Sequence, residues 1–371
     1  MRSRGDSFTL IGTLLGLAVL IAAPAAGGTP KYQVLHAFGS GQDGTGTWGS
    51  LILDGEGNIF GTTSGGGLHG FGTVFELRPK SSGKWSESIL YSFNRNGQDG
   101  YLSTAAVVLD TAGNLYGTTQ SGGTRDDGTV FELTPGSSGW TETVLFSFDL
   151  SDGCCPYGSL VIDSSGNLYG TGGVAFELAP GLGGYAERVI HRFAHQHGDG
   201  YDPFAGMILD GKGNLYGTTK YGGTQNTGIV YRLQPTADGG WKERILHNFG
   251  SIPNDGGDPG LGALARDDSG NLYGVTAGGG TNWCGFGSCG TVYKLAPQQD
   301  GHWKETVLYN FKAGPTGFIP GAGVARDAGR KFIRDHRLWR QFAVRVWRGV
   351  QARAAEERHL EIHGPAHLHG L

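Results

Sequence analysis

The stretch Asp110-Thr111-Ala112-Gly113-Asn114-Leu115-Tyr116-Gly117-Thr118-Thr119, followed after a short loop by Gly128-Thr129-Val130-Phe131-Glu132-Leu133-Thr134-Pro135, decides the fold. Asp-x-x-Gly-Asn supplies residues that tolerate a left-handed backbone, and so a tight turn. The segments Leu-Tyr-Gly-Thr-Thr and Thr-Val-Phe-Glu-Leu are rich in aromatic and β-branched residues, as strands are. The run Val107-Val108-Leu109-Asp110 ahead of the turn reads as another short strand, and Trp140 to Phe148 as one more. We label these strands a (the run ending in aspartate), b (LYGTT), c (TVFEL) and d (the run ending in phenylalanine). Pro135, two residues beyond Leu133, is expected to end the ladder after strand c, because proline has no N–H to donate.

The same phrases recur along the chain. Strand d ends at Phe38, Phe93, Phe148, Phe193, Phe249 and Phe311, at spacings of 55, 55, 45, 56 and 62 residues. The Gly-Asn turn recurs at Gly57, Gly113, Gly166, Gly213 and Gly270, and strand c ends at Leu77, Leu133, Leu178, Leu233 and Leu295. Four antiparallel strands every ~40–55 residues predict blades of a β-propeller. Glycine interrupts every window long enough for two helical turns, which excludes a helical repeat. The expected fold is all-β: five complete blades plus a partial sixth. A lone strand d, Tyr32 to Phe38, opens the array, and a strand a near Gly321 to Asp327 closes it. Ring closure between these two would remove two open sheet edges.

Composition agrees. Of 371 residues 70 are glycine, with no three-residue period, so a collagen helix is excluded. With 38% hydrophobic and 11% aromatic residues the chain can bury a core, which excludes wholesale disorder. A net charge of −4 without a basic face argues against nucleic-acid binding.

Both ends differ from the middle. Arg2 and Arg4, an apolar run from about Phe8 to Ala23, and Ala23-Pro24-Ala25 read as a secretory signal over residues 1–26, with a retained membrane anchor as the alternative. Nothing else is apolar enough to span a bilayer, so no membrane span is expected once the signal is cleaved. The repeats occupy residues 32–327. Residues 331–371 carry seven of the chain's arginines and five of its twelve histidines, a sharp compositional break. Read one nucleotide out of frame from Arg330, suitable codons restore Gly-Asn-Leu-Tyr-Gly-Thr-Thr in register with Asp327. The tail after about Gly329 is therefore expected to be out of frame; the alternative is an amphipathic helix over Phe332 to Val350.

The combination of Asp-Gly loop, L-x-x-D, G-N-L-Y-G-T-T and G-T-V-F-E-L resembles the GloVer (Gloeo-Verruco) tandem-repeat family, the "choice-of-anchor" extracellular proteins, from Tyr32 to Asp327. The third copy departs, with Thr171-Gly172-Gly173 in place of the longer b–c loop. The resemblance implies a secreted protein, or one held at the surface through a C-terminal anchor. It implies no established activity.

In an a–d meander the d–a and b–c loops share one face, and their lengths vary most, so that face is the candidate for binding. Each d–a loop carries an aspartate before a glycine: Asp43, Asp99, Asp152, Asp199 and Asp255. They form either an acidic ring for a cation or sugar hydroxyls, or Asx-turns that hold the loops. Repetition in every copy favours the second. Asp54, Asp110, Asp163, Asp210 and Asp267 start the a–b turns, and Glu87, Glu142, Glu187, Glu243 and Glu305 read as strand-pair partners. His195, His197 and Asp199 form a candidate transition-metal set. His191 matches His36 and His247 in other copies and reads as structural. Cys284 and Cys289 flank a short loop and read as a disulfide in a secreted chain; the state of adjacent Cys154 and Cys155 stays open. Phe71, Tyr221, Trp283 and Phe286 are loop-face aromatics suited either to sugar stacking or to packing on the blade. Nucleophile-elbow, zincin and P-loop motifs are absent.

The expected function is a secreted binding or scaffold module, monomeric and without catalysis, presenting loops to a polysaccharide or an extracellular protein. No cofactor is expected beyond a divalent cation. The alternatives are a glycan-cleaving hydrolase or lyase using carboxylates at the channel mouth, and a purely structural envelope protein.

Overall fold

The computed structural model describes residues 8–14, 17–23, 31–39, 42–194, 198–260, 262–285 and 287–313, with backbone alone before residue 34. All regular structure among them is β. Five sheets have four antiparallel strands each, in the order a-b-c-d. The first comprises Ile52–Leu53, Ile59–Thr63, Thr73–Pro79 and Trp85–Ser92. The second runs from Val108–Leu109 to Gly139–Ser147, the third from Val161–Ile162 to Gly184–Arg192. The fourth runs from Ile208–Leu209 to Trp241–Asn248 and the fifth from Ala265–Arg266 to Trp303–Asn310. The expected sixth strand a and the tail lie outside the described residues.

Local chemistry forms each a–b turn as expected. Gly113 takes φ 91°. The N–H groups of Ala112 and Asn114 both donate to Asp110 Oδ1, and Asn114 Nδ2 donates to Asp110 Oδ2. Tyr116 Oη then bridges Asp110 and Glu132. The proline does not end the c–d ladder. Pro79 still pairs with Trp85, and Lys80 N donates to Lys84 O beyond it. Successive N–H groups point to opposite sides of a strand, so the donor missing at Pro79 faces strand b, whose pairing has already ended at Ile59–Leu77.

Consecutive sheets share no ladder. Side chains join them, one apolar cluster per junction. Between the first and second sheets the cluster comprises Phe60, Val74 and Phe93 from one side and Val107, Leu115, Phe131 and Leu133 from the other. The phenylalanine that ends each strand d is the wedge. Phe38, Phe93, Phe148, Phe193 and Phe249 each pack on the strand c ring of the next sheet: Phe75, Phe131, Phe176, Tyr231 and Tyr293. That ring needs a glycine beneath it. A Cβ on Gly117 would sit 2.4 Å from Phe131 Cζ, and one on Gly217 would sit 2.3 Å from Tyr231 Oη.

The lone strand Lys31–Ala37 pairs with Leu17–Ala23, which pairs with Phe8–Leu14. Its ladder carries a bulge at Ala18/Val19, as the c–d ladder of the first sheet does at Val74/Phe75. The apolar N-terminal run thus lies where strands b and c lie in the other sheets.

Candidate functional site

Two regions concentrate chemistry: the loop face and the junctions beneath it. On the loop face, two-residue ladders tie the d–a loop to the end of strand b. They pair Gly44–Thr45 with Gly65–Gly66, Gly100–Tyr101 with Ser121–Gly122, Gly200–Tyr201 with Tyr221–Gly222, and Gly256–Gly257 with Gly278–Gly279. The Asp-Gly glycine is demanded by close approach, since a Cβ on Gly200 would sit 2.1 Å from Thr219 Oγ1. The third unit, with its short b–c loop, replaces the ladder by one bond from Cys154 N to Gly172 O.

These ties hold aromatic side chains together across the face. Tyr201 and Tyr221 lie 5.4 Å apart, with Lys220 Nζ 4.9 Å from the Tyr221 ring. Phe71 meets Tyr101 at 5.5 Å, and Tyr157 meets Phe204 at 4.8 Å. Trp283 is 71% exposed and Trp48 61%. Of the eleven exposed large hydrophobic residues among the described residues, seven lie in d–a or b–c loops: Trp48, Leu68, Leu102, Leu150, Tyr157, Ile252 and Trp283. Tyr221 is half-buried and Phe286 lies outside the described residues. Cys284 and Cys289 are joined by a disulfide at the base of the Trp283 loop. Cys154 and Cys155 are free; burial, then the Cys154 neighbour, pushes the Cys155 thiol up to about 12, so it is a poor nucleophile at neutral pH.

The d–a aspartates do not stand open on this face. Asp43, Asp99 and Asp255 are buried and Asp199 is half-buried. They hold their loops. Asp43 Oδ1 accepts from Gly39 N, Asp99 Oδ2 from Asn94 N, and Asp199 Oδ2 from Ala194 N. The glutamates of strand d are opposite leucines in the ladder, as with Leu233 and Glu243, but their side chains meet the aspartate of the preceding loop. Each junction therefore combines a strand d residue, a loop aspartate and the glutamate of the next strand d. Tyr91, Asp99 and Glu142 lie between the first and second sheets; Phe146, Asp152 and Glu187 lie between the second and third. Where the strand d residue is histidine, three sets have donor atoms within 4.8 Å of one another: His36–Asp43–Glu87, His191–Asp199–Glu243 and His247–Asp255–Glu305. His191, read above as structural, is thus a member of the Asp199 cluster. His195 and His197 lie outside the described residues.

Burial, then the nearby aspartate, pushes the glutamates up: Glu142 and Glu187 to about 7, and Glu305 to about 8. Burial likewise raises Asp99. The Oε1 atoms of all five glutamates are buried without a hydrogen-bond partner.

The fold and these junctions define a repeat protein of consecutive four-stranded antiparallel sheets, each wedged into the next by one aromatic pair. The chain belongs to the Gloeobacter/Verrucomicrobia repeat family, whose pattern matches residues 22–175 and 171–332. No curated protein matches it. Among solved structures it is similar to the extracellular domain of a hybrid two-component system from B. thetaiotaomicron, at 13% identity and TM-score 0.47, covering 84% of this chain and 35% of that one. An ancestral GH74 enzyme matches at 10% identity and TM-score 0.48, covering 82% of this chain and 43% of that one. A fungal alcohol oxidase of the AA5 family in complex with copper matches at 15% and 0.49, covering 80% of this chain and 60% of that one. The chain thus spans 35–60% of the length of these structures, and none of them lends it an activity or a ligand. No helix among the described residues is long and apolar enough to cross a membrane.

Proposed function

We propose that this protein is a secreted or surface-held β-propeller whose loop face binds a polysaccharide or an extracellular protein, with no catalysis of its own. The observation that carries the reading is the concentration of exposed apolar side chains on one face, around ring pairs held by backbone ladders. Rigid aromatic surfaces flanked by Lys220, Arg95 and loop carboxylates suit the faces and hydroxyls of sugar rings. In this reading the five sheets are blades, and the strand Lys31–Ala37 completes a sixth. Cleavage of the signal would free that strand's edge for the strand c of the sixth blade. The family match ends at residue 332, and a native sixth blade encoded in the other frame after about Gly329 is part of this reading. Against the hydrolase alternative stands the burial of the junction carboxyls beneath their loops.

The test is binding of the purified chain to a glycan array and to extracellular polysaccharides. Trp283→Ala and Trp48→Ala should each weaken binding about 10-fold, equivalent to ~1.4 kcal/mol. A flat array, or binding untouched by both substitutions, counts against the reading. Release of reducing ends, lost in Asp199→Asn, would restore the hydrolase.

A further inference from the structure

We propose that the His191–Asp199–Glu243 cluster between the third and fourth sheets, and its copy His247–Asp255–Glu305 between the fourth and fifth, bind a divalent transition-metal ion of the zinc class. The donors arrive from three segments: the end of one strand d, the loop that follows it, and the next strand d. An imidazole with two carboxylates is a donor set that zinc accepts, and the two carboxylates balance the charge of the ion.

In the Asp199 cluster the spacing is that of co-ligands. His191 Nε2 lies 3.6 Å from Asp199 Oδ2 and 3.7 Å from Glu243 Oε1. Both distances exceed a hydrogen bond. Oxygen and nitrogen ligands around a tetrahedral zinc lie about 3.3–3.6 Å apart, from metal–ligand bonds of about 2.0–2.2 Å. His191 Nε2 and Glu243 Oε1 are both buried and without a partner. In the second cluster His247 Nε2 is hydrogen-bonded to Asp255, 3.1 Å from Oδ2 and 3.3 Å from Oδ1, while Glu305 Oε1 has no partner.

A second observation is independent of the cluster itself. In these two junctions strand c presents Tyr231 or Tyr293 where the other three present phenylalanine. Both tyrosines are wholly buried, and neither hydroxyl has a partner. The charges that act on the Tyr231 hydroxyl are Glu243 and Asp199, and those on Tyr293 are Glu305 and Asp255. Each junction thus sets a buried phenol beside a buried glutamate oxygen, neither of them hydrogen-bonded, and in the Asp199 cluster the imidazole Nε2 is likewise without a hydrogen bond. The His36–Asp43–Glu87 set faces Phe75 and is left outside the proposal.

The test strips the full chain with a chelator, reloads it with zinc, dialyses it and counts metal by mass spectrometry. His191→Phe and His247→Phe are the informative variants, because Phe146 already occupies that position in the junction between the second and third sheets. The wild type should retain zinc and melt higher with it than without. Each variant should lose one equivalent, and the double variant both equivalents. Cobalt should give a four-coordinate visible spectrum in the wild type that disappears in the double variant. No zinc retained by the wild type, or the same amount retained by the double variant, overturns the proposal and leaves a proton shared between aspartate and glutamate as the occupant. The readout is bound metal and does not depend on what the loop face binds.

Discussion

Phe93, the last residue of a strand d phrase, meets Phe131 of the next sheet's strand c edge to face, with ring centroids 5.2 Å apart. Both are fully buried. No backbone ladder crosses this gap; the ring contact, its apolar neighbours and single hydrogen bonds such as Thr62 Oγ1 to Ala105 O hold the two sheets together. Burying one such side chain contributes about 1.5–3 kcal/mol.

Removing the wedge should therefore separate sheets that remain individually intact. Phe93→Ala should cost about 3–5 kcal/mol in urea unfolding. Gly117→Ala, which drives a methyl group into Phe131, should cost about 1–3 kcal/mol. The two substitutions act on one ring and should not add. A cost below about 1 kcal/mol for Phe93→Ala would mean that something else holds the junction.

Stability should fall as pH rises from about 5 to 8. Glu142 and Glu187 titrate near 7 when folded, raised above their ordinary value of 4.5 by burial and then by Asp99 and Asp152. Between those values the folded chain holds protons that the unfolded chain has released, so each pH step favours unfolding until the folded pKa is passed. Glu142→Gln and Glu187→Gln should flatten this slope. On the acid side the a–b turns act oppositely. Burial pushes Asp110 up, but hydrogen bonds from Asn114 and Ala112 outweigh it and hold the pKa below 3.8. That contribution is present above the unfolded pKa and is lost as pH falls through the folded one. Thermal melts across pH 3–9 read both limbs; a flat profile between 5 and 8 is incompatible with protonated junction glutamates.

Reduction of Cys284–Cys289 should loosen the loop that carries Trp283 without unfolding the fifth sheet. Cys284 N donates to Gly287 O and Cys289 N to Asn282 O, so part of the loop survives by hydrogen bonding alone. Hydrogen exchange should quicken across residues 282–290 in Cys289→Ser, while Thr291–Pro297 keeps its protection. Loss of protection in that strand as well would show that the bridge supports the core.

On the proposed secretion, amino-terminal sequencing of protein recovered outside the cell should begin near residue 27. Resequencing the gene across codons 320–371 should reveal a one-base frame change near codon 330. A start at Met1 would make the strands Phe8–Leu14 and Leu17–Ala23 permanent. A clean read of the present frame would overturn the out-of-frame reading of the tail.

Much of this molecule is legible in one dimension. The period-two strands, the Asp-x-x-Gly-Asn turns and the recurrence of whole phrases follow from local sterics and hydrogen bonding, which a short stretch carries within itself. So does the family, because its phrases are contiguous. The position of Trp283 on an exposed loop follows from the hairpin order. The junction clusters are different. His191 and Asp199 are near neighbours, but Glu243 lies on the next strand d, and each of the three looks structural because a counterpart recurs in other copies. One trace is present: strand c carries tyrosine in place of phenylalanine only in the fourth and fifth units, each preceded by a strand d with histidine, while the first unit keeps Phe75 after His36. Along the chain the glutamates read as ladder partners and the aspartates as loop-holding Asx-turns, with an acidic ring as the alternative. Packing one sheet on the next adds what neither reading contains: the loop-holding aspartate is buried against the glutamate of the next strand d. Which residues form a sheet was decided by neighbours in sequence; which carboxyl meets which imidazole was decided only when the sheets closed on one another and excluded water from between them.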